Sequence, residues 1–251
     1  MKRNIKLSAI ICLALTLVLS YYIYFTEFKY KRDKSSLAEA ITEFTTPFNS
    51  SVDAYVLEIK EMKGVLVASF RDKTRLNLNG VAIFSKGFNQ RYRIISSRIE
   101  PSDYSSVLDI HRIKIKDHPY YVISGYNFSD EIKTYGLDFY GYLHPGNYAK
   151  DRVKETIKFE LVNQQFMDIY SYEEINNLLE NSIDRTLYDA SVWSTSMYDA
   201  DGQDITENFR IKDSIGGPKG MVGKAELFLI YVFIAIVLGI GLLMTRYFLT
   251  E

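Results

Sequence analysis

Two stretches of this chain carry no charged residue, Leu7–Phe25 and Leu227–Met244, and between them the hydrophobic positions fall largely into a period of two. At about 1.5 Å of rise per residue, each uncharged stretch comes close to the ~30 Å of a bilayer's hydrocarbon core. They predict transmembrane helices over residues 7–25 and 226–245. The first stretch follows a basic start, Met1–Lys6, but ends in Ser20-Tyr21-Tyr22-Ile23-Tyr24-Phe25. Bulky residues stand where a signal peptidase needs small ones, so an uncleaved anchor is expected. Cys12 follows Ile10 and Ile11 in the middle of that stretch, which does not fit a lipoprotein signal. Tyr21, Tyr22 and Tyr24 suit an interfacial aromatic belt.

Ser8, Cys12, Thr16 and Ser20 recur every four residues and form a slowly drifting stripe of small side chains on one helical face. Ala235 and Gly239 make the equivalent pair in the second helix, with Gly241 nearby. Small residues let helix backbones approach in lipid, so this set is the candidate helix-packing surface, against each other or against a partner. Neither stretch holds an Asp, Glu, Lys, Arg or His, which argues against a channel built from these helices.

The segment 26–214 reads differently. Ser36-Leu37-Ala38-Glu39 has the form of a capping box opening a short helix that Pro47 ends. Alternation then predicts strands over 64–70, 80–85, 92–99, 108–115, 120–126, 134–143, 156–162 and 165–170. A slip at His111-Arg112 suggests a bulge. Ile175, Leu178, Leu179, Ile183 and Leu187 have helical spacing. Val192–Tyr198 and Ile205–Ile211 read as a hairpin across the Asp201-Gly202 turn. Residues 215–225 are a Gly-rich linker, and 246–251 a short tail. The expected fold class is a membrane-anchored α+β protein. A β-rich domain, an antiparallel sheet or sandwich with one or two helices, lies between two transmembrane helices.

Charge changes this picture little. Of 30 basic and 31 acidic residues, only Lys2, Arg3, Lys6, Arg246 and Glu251 lie outside residues 27–226, the stretch between the two apolar runs, which is therefore mildly acidic. Nothing in that balance favours nucleic acid. The single cysteine excludes a disulfide within the middle domain. The basic residues of 1–6 predict a cytoplasmic N-terminus, and two spans return the C-terminus to the same side. The domain is then extracytoplasmic. Lys29, Lys31, Arg32, Lys34, Lys212, Lys219 and Lys224 oppose this by simple counting, but long loops translocate largely regardless of charge.

Candidate chemistry is sparse. Asp199, Asp201 and Asp204 do not place ligands or Gly where a calcium loop requires them, and suit a turn instead. Gly217–Lys224 departs from a phosphate loop at Pro218 and Ala225. His111, His118 and His144 lack metal-ligand spacing and are expected at surfaces or turns. No Gly-x-Ser-x-Gly occurs. No cofactor or metal is expected, nor an enzyme. The sole tryptophan, Trp193, is expected in core or hairpin packing.

Tyr120–Tyr148 is dense in aromatics. Along Leu137–Tyr142, alternation puts Leu137, Phe139 and Gly141 on one face and Asp138, Tyr140 and Tyr142 on the other. Tyr126, Tyr135, Asp138, Tyr140, Tyr142 and Tyr148 are the candidate interaction surface, set against the alternative of cross-strand aromatic pairing within the sheet. The expected function is a non-enzymatic accessory or interaction subunit. Its partners are the lipid bilayer and another membrane or envelope protein, with homo-oligomerisation open. An extracytoplasmic sensor of peptide, glycan or small molecule is the alternative, and an envelope hydrolase with a dispersed site stands behind both.

Overall fold

Hydrophobic alternation along the middle of the chain becomes three antiparallel sheets. The structure is a computed structural model and describes residues 2–46, 51–102, 107–144, 152–182, 188–211, 220–223 and 227–250. Helix α1 (Lys2–Glu27) leads to α2 (Lys34–Thr45), followed by β1 (Ala54–Met62), β2 (Val65–Asp72), β3 (Leu78–Lys86) and β4 (Tyr92–Pro101). Next come β5 (Asp109–Ile115), β6 (His118–Tyr126), β7 (Thr134–Tyr142), β8 (Arg152–Glu160) and β9 (Gln165–Ser171). Then follow α3 (Tyr172–Ser182), β10 (Tyr188–Tyr198), a 3-10 turn (Thr206–Phe209), β11 (Gly220–Gly223) and α4 (Leu227–Thr250).

Sheet A has the order β1-β2-β3-β4-β11, sheet B β5-β6-β9, and sheet C β10-β7-β8. Three apolar clusters stack them. Leu37, Ala40, Ile41 and Phe44 of α2 pack with Val56, Leu66, Phe70, Phe84 and Ile94 on one face of sheet A. Val67, Val81 and Ile83 on its other face meet Ile113, Ile115, Tyr120 and Val122 of sheet B. The far face of sheet B, with Tyr121, Ile123 and Phe166, closes on Leu137, Phe139, Ile157 and Val192 of sheet C and on Ile175 and Leu179 of α3. Sheets A and B are thus covered on both faces. This is why Leu66–Phe70 and Leu78–Phe84 are buried without a break, as strands covered on both sides must be.

Local chemistry differs from the expectation in several places. The N-cap of α2 is Asp33, whose carboxylate accepts the Ser36 N–H at 2.8 Å, so the helix starts one turn earlier than a Ser36 cap would allow. Strand β5 pairs with β6 without a register shift, so His111-Arg112 forms no bulge. After Tyr198 the hairpin collapses to a single bridge with Asp204, and the predicted second strand is replaced by the 3-10 turn. Asp204 diverts the chain there: its Oδ1 accepts the Thr206 N–H at 2.9 Å. Helix α3 is described to Ser182, and Pro47, Ile183 and Leu187 lie outside the described residues. Inside the predicted linker, Gly220–Gly223 pairs with Ser96–Ile99 of β4 as a fifth strand of sheet A.

Both terminal helices are long and apolar enough to cross a membrane, over Leu7–Glu27 and Phe228–Thr250. They pack as an antiparallel pair. A Cβ on Gly241 would lie 2.0 Å from Thr16 Oγ1, and Thr16 and Ser20 are buried there. Ser8 and Cys12 are half-buried on the same face. Ala235 and Gly239 are exposed, and nothing lies within 4 Å of a Cβ on Gly239. At ~100° per residue Gly239 sits ~200° around the helix from Gly241. The α4 contact face instead runs through Ile230, Ile234, Val237, Gly241, Thr245 and Phe248, each of them buried or half-buried.

Both helices join sheet A at the same strand. Beyond α1, Tyr30 exchanges backbone hydrogen bonds with Tyr92 at the start of β4, at 3.2 and 2.8 Å. The β11 ladder on the far half of β4 leads into α4. Lys29, Arg32 and Lys34, the basic residues after α1, are paired with Glu43, Glu61 and Glu58.

Candidate functional site

Sheet C is the one sheet with a face that no described layer covers. Its inner face carries Leu137, Phe139, Ile157 and Val192; the outer face follows from the same alternation. Register places Tyr142 opposite Arg152, Tyr140 opposite Lys154 and Ser191, Asp138 opposite Thr156 and Ser194, and Gly136 opposite Lys158 and Ser196.

Asp138 sits at the centre of that face and is nevertheless buried. Thr156 Oγ1, Ser194 Oγ and Ser196 Oγ donate to its carboxylate at 2.8, 2.9 and 3.1 Å. Lys154 Nζ approaches Oδ1 at 3.1 Å. A buried carboxylate is tolerable only when so satisfied. Burial works against the charge on Lys154, but the hydrogen bond and charge of Asp138 outweigh it and raise the ammonium's pKa. Gly136 makes room for this packing, since a Cβ there would lie 2.6 Å from both Ser196 Oγ and Thr156 Cγ2.

Beside the network is an aromatic and cationic patch. The register of β10 against β7 shifts between Val192 and Ser194, and Trp193 is the extra residue. Its side chain is 64 % exposed. The ring meets Tyr140 edge-on, with centroids 6.5 Å apart and an interplanar angle of 82°. The Arg152 guanidinium lies 4.4 Å from the Tyr140 centroid and 5.5 Å from that of Trp193. Lys158 Nζ stands 3.6 Å from the Tyr198 ring centroid. Arg152, Lys154 and Lys158 are the cations of this face; Asp138 engages Lys154, Glu160 lies at the end of the same register, and Asp204 is near enough to Lys154 and Lys158 for their charges to lower its pKa.

The candidate residues named from the sequence therefore divide. Asp138, Tyr140 and Tyr142 come together on the outer face of sheet C. Tyr135 does not: it is buried between sheets B and C, stacked on Phe159 and Phe166 at 5.1 and 5.6 Å, with its hydroxyl donating to Asp168 at 2.9 Å. Burial, with the nearby Tyr170 and Asp168, drives its pKa upward. Its odd-numbered register with Leu137 and Phe139 puts it inside. Tyr126 is half-buried at the end of β6, under the Arg71 guanidinium at 5.0 Å and away from sheet C. Tyr148 lies outside the described residues. Trp193, placed in packing by its strand context, is on the surface because the bulge turns it outward. Alternation within a single strand gives no sign of that extra residue.

A second polar group lies at one end of the contact between sheets A and B. His111 is buried, not at a surface or turn, because β5 presents it toward β4. Its Nδ1 is 3.5 Å from Glu100 Oε2, and Arg98 donates to Glu100 Oε1 at 3.1 and 2.7 Å. The His111 imidazole facing it, then the Arg98 guanidinium, lower the Glu100 carboxyl to about 2. Asp109 accepts from Asn79 Nδ2. The residue keeps part of its surface, yet protein surrounds the carboxyl itself, and this burial pushes it up to about 6.

Two cavities are lined by other residues. One of about 380 Å³ lies at the mouth of the helix pair among Tyr22, Ile23, Arg93, Ile230 and Phe233. One of about 710 Å³ lies between α2 and β1. Among the described residues, no three His, Cys, Asp or Glu side chains gather as metal ligands. Asp199 is used locally, its Oδ1 accepting the N–H groups of Asp201 and Gln203. No protein-family model, curated protein or solved structure matches the chain.

Proposed function

We propose that this protein is a non-enzymatic interaction subunit held at a membrane. Its two terminal helices cross the bilayer as a hairpin, and the outer face of sheet C docks another membrane or envelope protein. The observation that carries this reading is Trp193, an exposed tryptophan on a bulge, set edge-on to Tyr140 and flanked by Arg152. Tryptophan, tyrosine and arginine are the residues that most often dominate binding energy at interfaces. The Asp138 network beneath them holds Thr156, Ser194 and Lys154 in fixed positions, so little side-chain ordering remains to be done on binding. Arg152, set against the Tyr140 and Trp193 rings, favours an acidic group on the partner.

An antiparallel helix pair supports a reading in which the outer ends of both helices share one side, and the basic residues of 1–6 favour the cytoplasm for that side and an extracytoplasmic domain. Tethering at two points raises the effective concentration of the face near a membrane partner. The test is affinity purification of the full chain from membranes with Trp193→Ala and Arg152→Ala alongside. A stoichiometric partner lost from both variants, with thermal stability unchanged, is the expected result. A partner retained equally by both would move the interface elsewhere. The sensor reading draws its support from β4, which is hydrogen-bonded to the chain leaving α1 and to the strand entering α4. Strain in sheet A would reach both helices. That reading expects an isolated ligand to shift the chain's melting temperature without any protein partner.

A further inference from the structure

The turn between β3 and β4 contains a phenylalanine that burial does not explain. Phe88 is 85 % exposed. Its environment is nevertheless well defined. The Phe88 N–H donates to the Tyr24 hydroxyl at 2.6 Å, and the Tyr24 and Phe88 rings are stacked with centroids 6.1 Å apart. Tyr24 also stacks on Phe28 at 4.7 Å, and Asn89 Nδ2 donates to the Phe28 carbonyl at 2.9 Å. Gly87 is closed in, since a Cβ there would lie 2.6 Å from the Phe28 ring and 2.7 Å from the Tyr24 hydroxyl. The turn is therefore fastened to the last turns of α1.

Tyr24 belongs to the apolar span Leu7–Glu27, about one helical turn short of its end. Around it Tyr21, Tyr22 and Phe25 are exposed on the same helix. Glu27, which ends the span, pairs with buried Arg93 at 2.9 Å just past the turn. Aromatic rings on the apolar side of an ion pair mark the boundary between headgroups and acyl chains, where amphipathic rings are most favourable.

The neighbouring turns supply the matching charge. Val65 pairs with Ser85, so the Lys63-Gly64 turn lies at the same end of sheet A. Lys116 Nζ lies 3.8 Å from a Cβ built on Gly64, which brings the β5–β6 turn there too. Lys63, Lys86 and Lys116 are all exposed. Cations beside an inserted ring suit anionic headgroups.

We infer that the β3–β4 turn is a third membrane contact, with the Phe88 ring inserted at the headgroup–acyl boundary beside Tyr24 and the Lys63, Lys86 and Lys116 turns facing the headgroups. This rests on the reading that α1 spans the bilayer. It fixes the tilt of the domain: sheets A and B stand on their turns, and the opposite end, where Val162 is 85 % exposed, points away from the membrane.

The experiment uses the full chain in vesicles of phosphatidylcholine and phosphatidylglycerol, with Trp193→Phe as background. A single tryptophan is introduced by Leu17→Trp, Phe88→Trp or Val162→Trp, and thermal melting checks that each variant folds. Leu17, 54 % exposed, reports the middle of α1. Lipids brominated on the acyl chain are expected to quench the first two. Phe88→Trp should respond most when the bromine is near the headgroup and be several-fold less sensitive to iodide than Val162→Trp. If Phe88→Trp behaves like Val162→Trp while Leu17→Trp is quenched by lipid, the turn does not touch the membrane and the inference is overturned. If Leu17→Trp also escapes lipid quenching, the membrane-spanning reading fails and takes the inference with it.

Discussion

Sheets A and C are built from the same antiparallel pairing, yet they solve opposite problems. Sheet A lies between α2 and sheet B, and its central strands β2 and β3 are apolar on both faces. Among the described residues, sheet C is covered on one face only. Its strands alternate, and every polar group the open face draws inward is matched, as the four partners of Asp138 show. The difference separates two roles. The doubly covered sheet supplies stability and joins both terminal helices through β4. The half-covered sheet can give its outer positions to rings and cations, because the core does not need them.

Substitutions sharpen this contrast, starting with the largest effect. Phe84→Ala empties a fully buried site between α2 and sheet A. It should cost about 3–5 kcal/mol in chemical denaturation of the full chain in detergent, since the cavity cannot close between two packed layers. A loss no larger than that of a surface change would mean that sheet A is not the rigid centre.

Asp138→Ala follows, at about 2–4 kcal/mol, because it strands three hydroxyl donors and the Lys154 ammonium. Asp138→Asn keeps an acceptor and should lose less. If the two variants melted alike, the network would owe nothing to the carboxylate's acceptor capacity.

Asp109 offers a pH test at the boundary between sheets A and B. Its folded pKa of about 6 lies above the ordinary 3.8, so the folded state holds the extra proton between those values. Stability should therefore fall as pH rises from about 4 to 6, with the cost complete above that. Asp109→Asn should flatten this slope and gain about 2 kcal/mol at neutral pH, after allowance for the residue's partial exposure. Glu100 acts in the opposite sense and in a lower window. Its stabilisation is complete above its ordinary 4.5 and is lost as pH falls toward about 2. Urea midpoints measured across pH separate the two; an unchanged slope in Asp109→Asn would show that another group titrates there. Smallest of all, Trp193→Ala should change stability by no more than about 0.5 kcal/mol, as expected for an exposed side chain. A large loss would make Trp193 part of the fold and remove it from the binding face.

Much of the architecture is legible in the order of the residues alone. The uncharged ends are a local property of composition, and most strands of sheets A to C follow from period-two alternation. The two faces of Leu137–Tyr142 separate as alternation divides them. Strand β1 is hidden because it is an edge strand. Glu58, Lys60 and Glu61 interrupt its apolar positions, and the register shift between Val56 and Glu58 breaks the alternation. Strand β11 is hidden because Gly220–Gly223 has a turn's composition and becomes a strand only through its ladder to β4.

The sequence by itself determined where the chain is too apolar for water and which side of each strand is greasy, because both are recorded residue by residue. Only the tertiary structure decided which greasy faces meet. That choice buried Tyr135 and His111, turned Gly241 rather than Gly239 toward α1, and left one face of sheet C without a covering layer among the described residues, with Trp193 on it. Pairing and stacking join residues far apart along the chain, and their outcome depends on register and bulges that no local pattern encodes.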